Sequence, residues 1–197
     1  MRLDRDHGPF AAAADGSPDS LAALLPLLVP GEETWLVEID PPALPADMIR
    51  AREARCVQMI APSIDDALAP FDIVPLGDED AAEMRALAAL TKPGPFRSKT
   101  HRLGRFVGVR ENGRLVAMAG ERMRLGGFVE VSGVCTHPDH RGRGYAGGLM
   151  RSVAARILAE SDTPFLHAYA TNRGAIALYE TLGFRVRAEI MLIEVTR

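Results

Sequence analysis

Residues 133–150 read GVCTHPDHRGRGYAGGLM and crowd glycines and arginines into one turn between an apolar run and a helix-like run. A chain entering a helix presents unpaired backbone N–H groups, and the helix dipole adds partial positive charge there. A phosphate group suits both. Gly142 and Gly144 let the main chain approach an anion with no Cβ in the way. Arg141 and Arg143 add charge, and small Ala146, after Tyr145, keeps the first helical turn open. The chemistry expected of residues 141–146 is therefore the grip on a pyrophosphate.

Other phosphate loops differ. The loop lacks the GKS or GKT ending of a P-loop, so it brings neither that lysine nor a hydroxyl for Mg²⁺. No strand–turn–helix near the N-terminus carries GxGxxG, and no acidic residue is placed to hold a ribose. His137 and His140 stand three apart, but no partner ligands accompany them, and no metal is expected. His167, on FLHAY, reads as a satisfied polar residue and as a reserve base.

The loop must be carried by a strand before it and a helix after it. GGFVEVSGVCT (126–136) supplies the strand. In YAGGLMRSVAARILAE (145–160), Leu149, Val153 and Ile157, with Met150, Ala154 and Leu158, line one face at helical spacing. PFLHAYAT (164–171) reads as a strand and NRGAIALYETLGF (172–184) as a helix, with Asn172 its N-cap and Gly183 its stop. RVRAEIMLIEVT (185–196) reads as a closing strand. Upstream, FDIVPL (71–76) is a strand and GDEDAAEMRALAALTK (77–92) a helix with an acidic first turn. Asn112-Gly113 joins two apolar runs as a tight hairpin, so the sheet there is antiparallel. KPGPF (92–96) is either a linker or a lid over an acceptor site. TWLVEID (34–40) and RCVQMIA (55–61) read as strands, with a turn and a short helix over 41–53 between them. APSIDDALAPFD (61–72) reads as a seam. The fold class expected is α/β (α+β): a mixed, mostly antiparallel central sheet flanked by helices, with an extra N-terminal segment.

The chain has 197 residues, 25% of them charged, and a formal net charge of −3. That balance offers no global field for nucleic acid or an anionic membrane, so no such partner is expected. The apolar stretch LAALLPLLVP is short and broken by Pro26, too little for a membrane span. The beginning of the chain lacks the apolar core of a signal peptide. Cys56 and Cys135 have no metal or CxxC spacing, and the cytoplasm is the expected compartment.

At this point the chain resembles the GNAT superfamily of N-acetyltransferases. VCTHPDHRGRGYAGGLM is similar to that family's acyl-CoA signature, R/Q-x-x-G-x-G/A, filled by Arg141, Gly144 and Ala146. NRGAIALYETLGF is similar to its second recurring segment. The stretch EVSGVCTHPDHRGRGYA resembles the branch related to glycine N-acyltransferases. The likeness covers roughly residues 71–197, which implies a GNAT N-acetyltransferase domain there and an accessory half or extension over 1–70.

The resemblance implies acetyl-CoA as co-substrate, with Arg141, Gly142, Arg143, Gly144, Tyr145 and Ala146 at its pyrophosphate. It implies a strand that splays before the loop, so that free backbone groups of Val134, Cys135 and Thr136 pair with the pantetheine arm. The Val134 N–H is then the oxyanion donor. Asn172 matches the asparagine that bonds the pantetheine, and Tyr179 the tyrosine near the sulfur that protonates the thiolate. Glu130, eleven positions before Arg141, matches the catalytic glutamate of some members and is the candidate general base. The implied reaction moves an acetyl or acyl group to a primary amine on a small molecule or amino acid. A protein or peptide acceptor, or a silent acyl-CoA sensor, are the alternatives. The acceptor and the assembly, a homodimer included, stay open.

Overall fold

The computed structural model describes residues 1–65 and 67–197. A short helix, α1 (Pro18–Ala22), follows the N-terminal segment, its N-cap Ser17 accepting from the Ser20 amide. Strands β1 (Thr34–Glu38), β2 (Ile49–Ile60) and β3 (Val74–Leu76) come next. Helix α2 (Ala81–Thr91) precedes β4 (Phe106–Glu111), β5 (Arg114–Leu125) and β6 (Phe128–Thr136). The chain ends with α3 (Tyr145–Ala159), β7 (Thr163–Tyr169), α4 (Arg173–Thr181) and β8 (Arg185–Thr196). The strands form one sheet in the order β1-β8-β2-β7-β6-β5-β4-β3. Every neighbouring pair is antiparallel except β6–β7. The expected fold class is the one observed.

Local signals explain most of these elements. Asn112 and Gly113 both have positive φ, 50° and 79°, and join β4 to β5 in the tight hairpin their sequence favours. Helix α2 ends where Lys92 turns left-handed at φ 50°, just before Pro93. Leu149, Met150, Val153, Ala154 and Ile157 of α3 are fully buried and pack against Val129, Val131 and Leu166. The expected seam at 61–72 includes Asp66, which lies outside the described residues; beside it, Ile64 and Phe71 pack on this same core.

One expectation fails. The short helix read over 41–53 is absent, and Ile49–Ile60 is a single long strand. Strand β2 pairs along its whole length with β8, and from Cys56 to Ile60 with β7 as well, both far away in sequence, and those ladders override a weak local helical preference. Residues of both expected segments, 1–70 and 71–197, therefore share one sheet.

Along β5 the faces alternate: Ala117 and Ala119 belong to the core beneath α3, while Met118 packs with Met84 and Leu87 of α2. The helices thus cover opposite faces. Phe10, Trp35, Cys56, Ile190 and Leu192 form a further apolar cluster.

Candidate active site

Strands β6 and β7 pair only at Phe128↔Thr163, Val129↔Pro164 and Glu130↔Phe165, then part. The parting coincides with a bulge. Between the pairs Met118↔Cys135 and Gly120↔Ser132, β5 advances two residues and β6 three. Gly133, at φ 65°, absorbs the extra residue, a conformation that favours glycine. The Phe106 ring lies 2.8 Å from where a Cβ at Gly133 would stand, so any larger residue is also excluded by packing. The bulge switches the parity of the strand. Val129 and Val131 face the α3 core, yet Cys135 packs with Phe106 and Met118 on the α2 side.

The main chain follows the same logic. The His137 amide donates to the Val116 carbonyl on β5 at 2.8 Å. Alternation then directs the Cys135 amide to β5, and those of Val134 and Thr136 into the gap left by β7. The expected trio of gap-facing groups is thereby reduced to Val134 and Thr136. Cys135 is buried, and burial pushes its thiol up to about 11.

The gap leads to the glycine-rich loop. Gly142 and Gly144 have φ of 76° and 80°, and a Cβ at either would meet open space. Gly144 is the N-cap of α3 and offers no side chain to its first-turn amides. Those donors remain free for an anion. Arg141 is exposed and makes no ion pair among the described residues. Arg143 behaves differently: its Nη1 donates to Glu111 at 2.8 and 3.0 Å, and the Tyr145 hydroxyl donates to the same carboxylate. His140 Nδ1 stands 3.2 Å from it. Glu111 was not visible as a site neighbour in the sequence, because Glu-Asn-Gly signals only a turn.

On α4, Asn172 caps the helix, its Oδ1 accepting from the Ala175 amide at 3.3 Å. Tyr179 lines the gap, and burial raises its hydroxyl above the usual range, so it stays protonated.

Glu130 sits at the fork where pairing ends, with 1% exposure. Arg122 on β5 donates from Nε and Nη2 to its two oxygens at 2.8 and 2.7 Å. His167 Nδ1 lies 2.9 Å from Oε1. Burial pushes this carboxyl up, but the Arg122 charge and these hydrogen bonds more than offset it, and the result is about 2. Gln58 accepts from Arg187 through Oε1 at 2.6 Å, which leaves its amide nitrogen 3.1 Å from His167 Nε2. The pattern is satisfied by the His167 tautomer that carries its proton on Nδ1. Glu130 as placed is therefore a carboxylate with three donors, not a free base, and it orients His167.

The cleft continues past Glu130 to a second end. Phe10, Trp35, Tyr169 and the Pro93–Pro95 turn line it, and about 840 Å³ of empty space, open mouth included, runs from there to Tyr179. Arg122, Phe10 and Trp35 carried no motif in the sequence; only the fold brings them to Glu130. Among the described residues, no three His, Cys, Asp or Glu side chains gather to hold a metal ion. His137 and His140 stack edge to face at 5.4 Å without a third ligand. No helix is long and apolar enough to cross a membrane among the described residues.

A solved protein from Novosphingobium aromaticivorans, assigned to the GNAT family as an acetyltransferase, is 49% identical to the chain. The match covers 100% of this chain and 87% of that one, with a TM-score of 0.89. The chain belongs to the GNAT family. The model of the FR47-like protein family matches residues 106–193, from the start of β4 into β8. An acetyltransferase from the GNAT family of Colwellia psychrerythraea is similar in fold alone, at 16% identity over 74% of this chain and 57% of that one, TM-score 0.57. So is the ribosomal-protein-S18-alanine N-acetyltransferase of Escherichia coli, at 21% identity over 64% of this chain and 92% of that one, TM-score 0.53. No curated protein matches. A coenzyme A pyrophosphate fits this GNAT chain, because the open amides of α3 and the side-chain-free cradle at Gly142 and Gly144 meet what a diphosphate requires.

Proposed function

We propose that this chain transfers an acetyl group from acetyl-CoA to the primary amine of a small molecule. One observation carries the reading: the β6–β7 gap, opened by the Gly133 bulge, runs directly into the free amides at the start of α3. The gap matches an extended pantetheine arm, and the loop at 141–146 its diphosphate. Arg141 supplies charge at once, and Arg143 does so after leaving Glu111.

In the transfer a carbon–sulfur bond breaks and a carbon–nitrogen bond forms. The amine loses one proton and the thiolate gains one. The Val134 N–H points at the gap and serves the oxygen that becomes negative. Tyr179 donates to the departing sulfur. Glu130 is a poor acceptor for the amine's proton, since three donors engage it and Arg122 holds its carboxyl down to about 2; it fixes His167, and the proton leaves through His167 Nε2 or water once Gln58 gives way. A cleft walled at its far end by Phe10 and Trp35 fits a small acceptor better than a peptide strand, and the resemblance of 130–146 to the glycine N-acyltransferase branch supports an amino acid.

A thiol-release assay with acetyl-CoA against amino acids, polyamines and N-terminal peptides tests this. Turnover is expected with a small amine. Tyr179→Phe is expected to lower kcat by roughly 100-fold while leaving CoA affinity unchanged. Tight CoA binding without transfer to any acceptor would instead describe an acyl-CoA sensor.

A further inference from the structure

The end of the cleft remote from α3 and α4 is built by residues that the acyl-transfer machinery does not use. Residues Pro9–Ala11 run beside β1: the Trp35 amide donates to the Pro9 carbonyl at 2.7 Å, and the Ala11 amide to the Trp35 carbonyl at 3.0 Å. This fixes the Phe10 ring edge-on to Trp35, with centroids 5.8 Å apart. Tyr169, Ile190 and Leu192 complete an apolar wall. The N-terminal segment thus closes the acceptor end.

The polar groups of this end are unbalanced in one direction. Both oxygens of Glu130 are occupied by Arg122 and His167. It is the only carboxylate lining the cleft among the described residues, so nothing there can pair a second ammonium. Arg122, by contrast, has a donor to spare. Its Nε and Nη2 serve Glu130, while Nη1 has no protein partner among the described residues and is not sealed from solvent. Its guanidinium carbon lies 4.6 Å over the Phe10 ring, which holds the fork in place. At the mouth, Arg97 pairs with Glu33 at 3.3 Å, and Lys92 makes no ion pair among the described residues. Cleft and mouth together hold Arg122, Lys92 and Arg97 against Glu130 and Glu33, an excess of one positive charge.

We propose that the acceptor is an α-amino acid with a bulky apolar side chain: its carboxylate is anchored by Arg122 Nη1 and its side chain packs on Phe10 and Trp35. This rests on the acyl-transfer reading above and names the substrate class of the same site. Arg122 then has two tasks, holding Glu130 and registering the acceptor so that its amine faces the thioester. Lys92 adds attraction at the entrance. A polyamine lacks the anion and would find both carboxylates, Glu130 and Glu33, already paired with arginines.

The test compares substrates on the unaltered enzyme, which avoids variants that fail to fold. Turnover of acetyl-CoA is measured with phenylalanine, phenethylamine, glycine and spermidine. Phenylalanine is expected to exceed phenethylamine, which lacks the carboxylate, by roughly 100-fold in kcat/KM, because the guanidinium donor is left unpaired. It is expected to exceed glycine by a similar factor, through the lost aromatic contact. Phenethylamine or spermidine performing as well as phenylalanine, or glycine matching it, would overturn the inference and leave acyl transfer standing. If no amine accepts the acetyl group while CoA binds, the acyl-transfer reading fails, and this inference fails with it.

Discussion

Arg122 donates two parallel hydrogen bonds to Glu130, at 2.8 and 2.7 Å, across the fork where β6 leaves β7. Each residue neutralises a charge that the fold has otherwise removed from water. Breaking such a pair from one side leaves the other charge buried and uncompensated.

This pair makes stability depend on acid. Glu130 is held at about 2, below its ordinary 4.5, because Arg122 outweighs the opposing effect of burial. A carboxyl depressed by folding stabilises fully above its unfolded value and loses that contribution as pH falls through the folded one. The window is therefore pH 4.5 down to 2, and the contribution is on the order of 3 kcal/mol. Glu130→Gln is expected to be less stable than the parent by about that much at pH 7, with the gap closing as pH falls toward 2. Urea unfolding at pH 7, 4 and 3 measures it; a gap that stays constant with pH would contradict the assignment.

Two glycines of one helix start should respond in opposite ways. Gly144 needs its positive φ, but an added Cβ meets no protein atom. Gly144→Ala is expected to cost about 1–2 kcal/mol in stability and to weaken CoA binding at least tenfold. Gly148 lies one turn on, where a Cβ would come within 2.4 Å of the Phe71 ring. Gly148→Ala should lose more stability than Gly144→Ala and, once folded, bind CoA nearly normally. Calorimetric titration beside thermal unfolding separates the two; equal CoA affinities in both variants would count against the cradle.

The thiols should be inert. Burial pushes both Cys56 and Cys135 up to about 11. At pH 7.5 the thiolate fraction is then below about one in a thousand, and the thiolate is the reactive form. The folded protein is expected to resist iodoacetamide for hours and to label fully in denaturant. Rapid native labelling of either cysteine would show that the packing around it is wrong.

The chemistry that lies close together in sequence was legible there. The RGRGYA turn, the α3 face and the Asn-Gly hairpin each depend on neighbours within a few residues, so composition and spacing reveal them. Long-range pairing hid the rest. Residues 49–53 look helical until β8 pairs with them. The bulge at Gly133 is a mismatch between two strands, and no single strand records it; with it went the correct facing of Cys135. Glu130 was suggested by the family resemblance, through its place eleven positions before Arg141, but its partners Arg122 and His167 arrive from β5 and β7, and they change what the carboxylate can do. Trp35 joins the cleft because β1 pairs with the distant β8, and Phe10 because the N-terminal segment bridges to β1.

The most direct measurement is a titration of ¹⁵N-labelled protein with coenzyme A, following backbone amide resonances. The amides of Gly142, Gly144, Tyr145 and Ala146, with those of Val134 and Thr136, are expected to shift most and to saturate together, while those of Arg2, Arg5 and Ser98 on the distant polar surface stay fixed. Saturable binding that leaves the 142–146 amides unmoved, or no binding at millimolar coenzyme A, would contradict the account.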